Sequence, residues 1–216
     1  MPGQVVQISR ATLARLPFYY RTLAAHARGG NTKISSAQLA ASLGMDSAQV
    51  RRDLSSIGEF GRAGIGYSVG ELLEALEEML GIRNRTEAVL VGVGRLGSAL
   101  FRYPGFEGYG LRIVGLFDSD PEKIGQMLDG TPIRSVCEIP HVVRRLSIQM
   151  GIITVPPASA QEIADILIGA GVFAIWNFTP IGLTVPPKVM VRDEDLAAGL
   201  SYLSRHIAGA GARGES

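Results

Sequence analysis

Apolar positions recur at helical spacing from the start of the chain. Leu13, Leu16, Tyr20, Leu23 and Ala27 mark one face of a helix over residues 9–28, with Pro17 inside it as a kink or a fresh start. Gly29-Gly30-Asn31 ends that helix. A capping-box pattern, Ser35-x-x-Gln38, opens a second helix that stops at Gly44. A third opens at Asp46 or Ser47 and runs to about Ile57. Ser68 to Leu80 is a fourth, with Leu72, Leu73, Leu76 and Leu80 on its apolar side. Beyond residue 86 the pattern changes. Short apolar runs at 87–92, 111–117, 147–155 and 172–177 read as buried strands, and helices fit at 98–103 and about 158–170. Strands alternating with helices imply a parallel sheet with crossover connections.

The first part carries the signature of helix-turn-helix, two short helices around a tight glycine turn, although ordinary bundles share that geometry. The third helix says more. Val50, Leu54 and Ile57 share a core-facing side, and at about 100° per residue Ala48, Arg51, Arg52 and Ser55 fall on the other. A small, basic face suits the major groove, where arginine meets guanine edges or phosphates. Ser47, Gln49, Arg51, Arg52 and Ser55 are therefore the candidate contacts. In the following stretch, residues 59–67, Gly61, Gly64 and Gly66 bracket Arg62. That reads as a wing whose arginine reaches a minor groove, with Arg62 and Gly64 as candidates. A plain glycine-rich connection is the alternative; beside the basic helix, the wing is the better reading.

Charge supports the division. Residues 1–62 carry eight Lys/Arg against three Asp/Glu, so a net +5, while the whole chain of 216 residues is only +1. A basic head on an acidic body suits a polyanionic partner for the head alone. Cys137 is the only cysteine, which excludes an intrachain disulfide and leads us to expect a reducing, cytoplasmic setting. No apolar run approaches a membrane span, the first ten residues lack the apolar stretch of a signal peptide, and no metal site is expected.

The second part opens with an apolar strand followed at once by Gly92-Val93-Gly94-Arg95-Leu96-Gly97 and a helix. In this G-x-G-x-x-G arrangement Gly92 makes the tight turn, Gly94 admits a pyrophosphate, and Gly97 lets helix and strand close together. The next strand ends at Asp118, twenty-one residues beyond Gly97. A carboxylate there binds adenosine ribose hydroxyls and repels a 2′-phosphate, which favours NAD(H) over NADP(H). Thr154-Val155-Pro156 and Asn177-Phe178 stand where two later strands end, at the ligand-binding edge of an open sheet. They are candidates for the nicotinamide end, or simple strand terminations.

A dehydrogenase would need a positioned acid or base. His26 lies in the basic head, His141 at a helix start and His206 near the C-terminus, and only about forty residues follow Asn177. The site therefore reads as binding without chemistry. An acyl-CoA sensor remains a possible alternative, because CoA also presents a free 2′-hydroxyl.

The chain resembles the Rex family of redox-sensing transcriptional repressors over nearly all of residues 9–207. The pieces are RLPFYYRTL (15–23), ISSAQLA (34–40), QVRRDLS (49–55), GEFGRAGIGY (58–67), VGVGRLGSAL (91–100), YPGF (103–106), FDSDPEKIG (117–125), TVPP (154–157) and NFTP (177–180). Ser56-Ile57 departs from the Tyr-Phe common in the family. The resemblance implies a winged helix-turn-helix domain over residues 1–80 and a Rossmann NAD(H)-binding domain over 86–192. It also implies a helix over 193–208 exchanged between the subunits of a homodimer. Such proteins bind palindromic operator DNA with NAD⁺ abundant and release it when NADH binds. An Arg–Asp–Tyr set that links ligand to DNA in the family matches Arg21, Asp195 and Tyr103.

Overall fold

A computed structural model describes residues 8–62, 66–198, 200, 204, 205 and 207. The chain divides into two compact units: residues up to Asn84 together with Gly108–Gly110, and Arg85–Glu107 together with Leu111 onward.

In the first unit α1 (Arg10–Arg28) runs unbroken through Pro17, and the Ser9 hydroxyl caps it by accepting from the Thr12 N–H. Strand β1 (Lys33–Ile34) leads into α2 (Ser36–Leu43), where the expected capping box of Ser35 and Gln38 is present in both directions. Gly44 closes α2 with φ 63°, a left-handed value that favours glycine. Helix α3 (Ser47–Ser55) starts at Asp46, whose carboxylate accepts from the Ala48 and Gln49 N–H groups. Strands β2 (Gly61–Arg62) and β3 (Gly66–Ser68) form a hairpin, and β3 also pairs with β1, giving an antiparallel sheet in the order β1-β3-β2. Helix α4 (Val69–Met79) follows, capped by Ser68. Three helices, a three-stranded wing and a closing helix make a winged helix-turn-helix; residues 63–65, including Gly64, lie outside the described residues.

One detail differs from the periodicity. The buried line of α1 is Thr12, Leu16, Tyr19 and Leu23, while Leu13 and Ala27 are exposed and Tyr20 only half-buried. The reason is polar. Asp53, on α3, is 2% exposed and its carboxylate accepts from four side chains. Arg15 donates from Nε at 2.6 Å and Nη2 at 2.8 Å, Tyr19 from its hydroxyl at 2.6 Å, Thr12 at 3.2 Å and Gln49 at 2.9 Å. A buried carboxylate is tolerable only when its acceptor sites are filled, so α1 turns Thr12 and Tyr19 inward to fill them.

The second unit is a seven-stranded sheet in the order β10-β9-β8-β4-β5-β7-β6. Its strands are β4 (Thr86–Val91), β5 (Leu111–Asp118), β6 (Met127–Leu128), β7 (Thr131–Ser135), β8 (Met150–Ile153), β9 (Ala174–Asn177) and β10 (Met190–Asp193). All pairs are parallel except the β6–β7 hairpin. Helices α5 (Arg95–Phe101), α6 (Ile139–Leu146) and α7 (Pro157–Ala170) cover it, and a 3-10 turn spans Pro104–Tyr109. Central strand β4 is buried on both faces: Val89 and Val91 pack with α6 and α7, Ala88 and Leu90 into the opposite cluster. The chain builds outward from β4 to β5 and β7, then returns to β8, so the order reverses between β4 and β8.

The C-terminal helix does not start at Asp193. That residue is the last of β10, paired with Asn177, because the edge of the sheet still offers it a ladder partner. The described residues from Ala198 onward are helical, and Leu196, Leu200 and Ile207 are exposed.

The Asp53 cluster has a pH signature. Burial alone would raise its pKa, but the hydrogen bonds from Arg15, Tyr19 and Gln49 outweigh that and hold it at about 2, against 3.8 for a free side chain. A lowered folded-state pKa contributes stability that is complete above the unfolded value and is lost as pH falls from about 4 toward 2, here about 2 kcal/mol. Asp53→Ala strands Arg15 and Tyr19 and is expected to cost the first unit about 3–5 kcal/mol near neutral pH. It should also remove much of that acid-range dependence. Urea melts at neutral pH and pH 3 measure both; a neutral-pH loss below about 1 kcal/mol contradicts the role given to this cluster.

Candidate nucleic-acid interface and dinucleotide site

Helix α3 presents the expected two-sided pattern. Val50 and Leu54 are fully buried and Ile57 nearly so, while Ala48, Arg51, Arg52 and Ser55 are exposed. The polar side chains nevertheless divide into free and committed. Gln49 donates its amide to Asp53, and its Oε1 accepts from Arg52 Nη2 at 3.1 Å. Arg52 Nε also leans back to the Ala48 carbonyl at 3.4 Å. Gln49 thus braces α3 more than it offers a group outward, and Ser47 sits half-buried in the first turn. Arg51 and Ser55 instead line an open cleft of about 920 Å³ between α3, the start of α2 and the wing.

That cleft contains residues the sequence reading missed: Lys33 on β1, and Ser36 and Gln38 in the first turn of α2. The capping box located the helix start, but only the β1–β3 pairing puts it beside α3 and the wing. Arg62 ends β2, paired with Gly66 of β3. Gly66 itself has φ 84°, and a Cβ there would meet the Ile34 carbonyl at 2.7 Å. The wing can therefore lie flat on β1 only with glycine at this position.

At the reversal between β4 and β8, the glycine loop is built by close backbone approach. Gly92 has φ 98°, and a Cβ on it would lie 2.7 Å from the Thr154 carbonyl group. A Cβ on Gly97 would collide with the Gly92 carbonyl oxygen. Gly94 is the opposite case, with nothing within 4 Å of the space a Cβ would take. It is also the N-cap of α5 and provides no side-chain cap. The first N–H groups of a helix have no partner within it. Open space over uncapped N–H groups is what a pyrophosphate requires, so the cradle formed by Gly92, Val93, Gly94, Arg95, Leu96 and Gly97 fits a dinucleotide.

Asp118 ends β5 beside that loop, nearly buried. Oδ2 accepts from the Val93 N–H at 2.8 Å and from Lys123 Nζ at 3.1 Å, and Oδ1 from the Asp120 N–H at 2.9 Å. Burial would raise its pKa, but the backbone N–H groups of Asp120 and Val93 and the Lys123 ammonium prevail and hold it below the usual carboxylate range. The carboxylate is therefore ionised at neutral pH, with roughly three of its four acceptor sites taken. Lys123, five residues on in the sequence, was not among the expected site residues. It sets a cation against Asp118, so repulsion of a 2′-phosphate is weaker than Asp118 alone would give.

The two later loops come to the same edge but spend their polar groups internally. The Thr154 hydroxyl donates to the Gly92 carbonyl at 2.7 Å and lies 3.1 Å from that of Val91, so it supports the glycine loop from below. Asn177 is fully buried; its amide donates to the Ile181 carbonyl and to Asp193, and its Oδ1 accepts the Thr179 N–H and hydroxyl. Every polar atom of the Asn177 side chain is used to shape the loop. Val155 and Phe178 are half-buried and Pro156 is exposed, leaving apolar surface at this edge.

Of the set Arg21, Tyr103 and Asp195, all three are exposed. Arg21 lies over the Phe18 ring at 5.1 Å, Tyr103 is 56% exposed, and Asp195 accepts the Ala197 N–H at 2.8 Å as a local cap. Among the described residues no cluster of His, Cys, Asp or Glu could hold a metal ion, and no helix is long and apolar enough to cross a membrane.

Residues 7–55 match the family described as a putative DNA-binding protein N-terminus, and residues 83–181 match that of a CoA binding domain. The chain is 45% identical over 201 residues to the redox-sensing transcriptional repressor Rex of Carboxydothermus hydrogenoformans, covering 93% of this chain and 97% of that protein. Identity to Rex of a Roseiflexus species is 43% over 196 residues, 91% of this chain and 89% of that one. Among solved structures, the Rex-family repressor RSP in complex with NAD⁺ and operator DNA covers 97% of this chain and 99% of its own. Its TM-score is 0.87 and its identity 34%. RSP with NADH gives a TM-score of 0.88 at 31% identity and 99% of both chains. With both halves matched and the identity spread along nearly the whole length, this chain belongs to the Rex family of redox-sensing transcriptional repressors.

Proposed function

We propose that this chain binds palindromic operator DNA as a cytoplasmic homodimer and leaves it when NADH binds, so that transcription follows the NADH/NAD⁺ ratio. The observation that carries this reading is the presence in one chain of two sites of opposite character. A basic helix α3 fronts a cleft with Lys33 and the wing, and an uncapped glycine loop fronts the open space at Gly94. In this reading Arg51, Ser55 and Arg62 touch DNA, while Gln49 and Arg52 set the helix face. The glycine loop holds the pyrophosphate, Asp118 the ribose, and Val155, Pro156 and Phe178 the nicotinamide end. The exposed Leu196, Leu200 and Ile207 support a C-terminal helix exchanged with a second copy, since one chain leaves them uncovered.

The cofactor supplies the difference between the states: the oxidised nicotinamide is a cation and the reduced ring is neutral. NADH must favour the dimer that cannot hold the operator, and the operator must weaken NADH by the same factor. In this reading Arg21, Tyr103 and Asp195, each exposed, trade a charged contact between subunits when the ring changes.

Four measurements test this assignment. Asp118→Asn should weaken NADH by about tenfold or more, or about 1.4 kcal/mol, while leaving cofactor-free operator binding intact. Titration of NADH and NADPH into the unmodified protein should show preference for NADH, and equal affinities would overturn the role of Asp118.

Arg51→Ala should cost about 1–3 kcal/mol of operator affinity and relax sequence preference if it reads a guanine. If Arg51 meets phosphate only, all sequences weaken alike and the salt slope falls by about one. Full operator affinity after this change contradicts α3 as the reading helix.

For the switch, Tyr103→Phe and Asp195→Ala should retain both ligands yet lose much of the roughly 5–150-fold effect expected of such coupling. Operator affinity with and without saturating NADH gives the ratio. A ratio unchanged in both variants removes the set from the mechanism.

A further inference from the structure

The ligand edge of the sheet and the exposed Tyr103 are joined by a row of four aromatic rings within the second unit. The Phe178 ring lies 4.8 Å from Trp176, Trp176 lies 5.4 Å from Phe106, and Phe106 lies 5.0 Å from Tyr103, each pair tilted or edge-on. Phe178, Trp176 and Phe106 are only half-buried, so the row runs along the surface of the sheet's second cluster rather than through its centre. Trp176 has a second attachment. It sits on β9 between Ile152 of β8 and Arg192 of β10, and its indole N–H donates to the Glu194 carboxylate at 3.2 Å. Glu194 follows β10 directly and precedes Asp195, and its own N–H is held by the Asn177 carbonyl at 2.8 Å.

One side chain therefore touches the loop carrying Phe178, the turn carrying Phe106 behind Tyr103, and the segment leading to Asp195. We propose that Trp176 is the positioning residue that ties the nicotinamide end of the dinucleotide site to both Tyr103 and the Asp195 segment. The proposal rests on the reading that Phe178 faces the nicotinamide. An aromatic face attracts a planar cation more than a neutral ring, so Phe178 meets a different partner in the oxidised and reduced cofactor. Edge-to-face rings keep preferred mutual angles, and close-packed neighbours do not deform smoothly. When Phe178 re-seats, Trp176 must follow, carrying Phe106 and the hydrogen bond to Glu194 with it. In this proposal Trp176 acts through other groups rather than by touching either ligand.

Trp176→Leu and Phe106→Leu each break the row, and Trp176→Phe keeps a ring while dropping the N–H to Glu194. For the full-length protein, three quantities are measured: NADH affinity, operator affinity without cofactor, and the ratio of operator affinities without and with saturating NADH. Both leucine variants should hold the first two near the unmodified values and bring the ratio to within about twofold of one, from a normal span of roughly 5–150. Trp176→Phe should fall between. A general packing defect would instead lower thermal stability and both affinities together. If Trp176→Leu does not fold, the half-buried Phe106 variant decides alone. Leucine variants that switch like the unmodified protein overturn the proposal. An unmodified protein whose operator binding ignores NADH refutes the proposed function instead, and the role of Trp176 with it.

Discussion

The orientation of α3 depends first on a buried carboxylate. Asp53 lies on α3 yet points away from its exposed face, and Thr12, Arg15, Tyr19 and Gln49 all donate to it. Three of those donors come from α1, so one charge fixes the rotation and height of α3 against its neighbour. A shared cluster of Val50 and Leu54 with Leu16 and Leu23 supplies the burial, but apolar packing is non-directional. The fork of Arg15 and the short bond from Tyr19 are directional, so they convert a helix that is merely packed into one held at a set angle. The cost is a buried ionised group, which is tolerable because no acceptor site is left dry. Gln49 extends the brace to Arg52, while Arg51 and Ser55 have no side-chain hydrogen bond among the described residues.

The second unit uses backbone where the first uses side chains. Gly97 lies so close to Gly92 that only hydrogen fits, and Thr154 ties the loop to the neighbouring strand end through two carbonyls. Asn177 and Thr179 do the same for the adjacent loop. Polar side chains at this edge are thus consumed in holding shape, and the ligand is offered N–H groups, one partly committed carboxylate and apolar surface. Such a site can bind a dinucleotide firmly while lacking a general acid or base, in keeping with a family of repressors.

These two habits meet in the requirement for a switch. The oxidised and reduced cofactors differ only at one ring, so in the proposed reading the response begins among the apolar groups near Phe178. Aromatic rows and a single indole hydrogen bond suit that task because they have few alternative arrangements. Lys123 pairs with Asp118 at what the proposed reading makes the other end of the ligand, where the two redox states do not differ.

Much of this was written into local sequence. The Ser35–Gln38 capping box, the Gly44 stop, the two-faced α3 and the strand–glycine–helix passage at residues 87–101 are short-range patterns, and each appears where spacing puts it. Some local signals were legible but passed over. Asp129-Gly130 between Leu128 and Thr131 is a two-residue hairpin turn with both residues at positive φ, and it closes β6 on β7. Only tertiary structure decided the rest. Tyr19 rather than Tyr20 is buried because a carboxylate thirty-four residues away needs its hydroxyl. The Asn177 amide braces its loop because Asp193 arrives beside it on an edge strand. Lys33 joins the α3 cleft because β1 pairs with β3. In each case the decisive partner is distant along the chain, and residue type and spacing fix what a side chain can do but not which remote group it will meet.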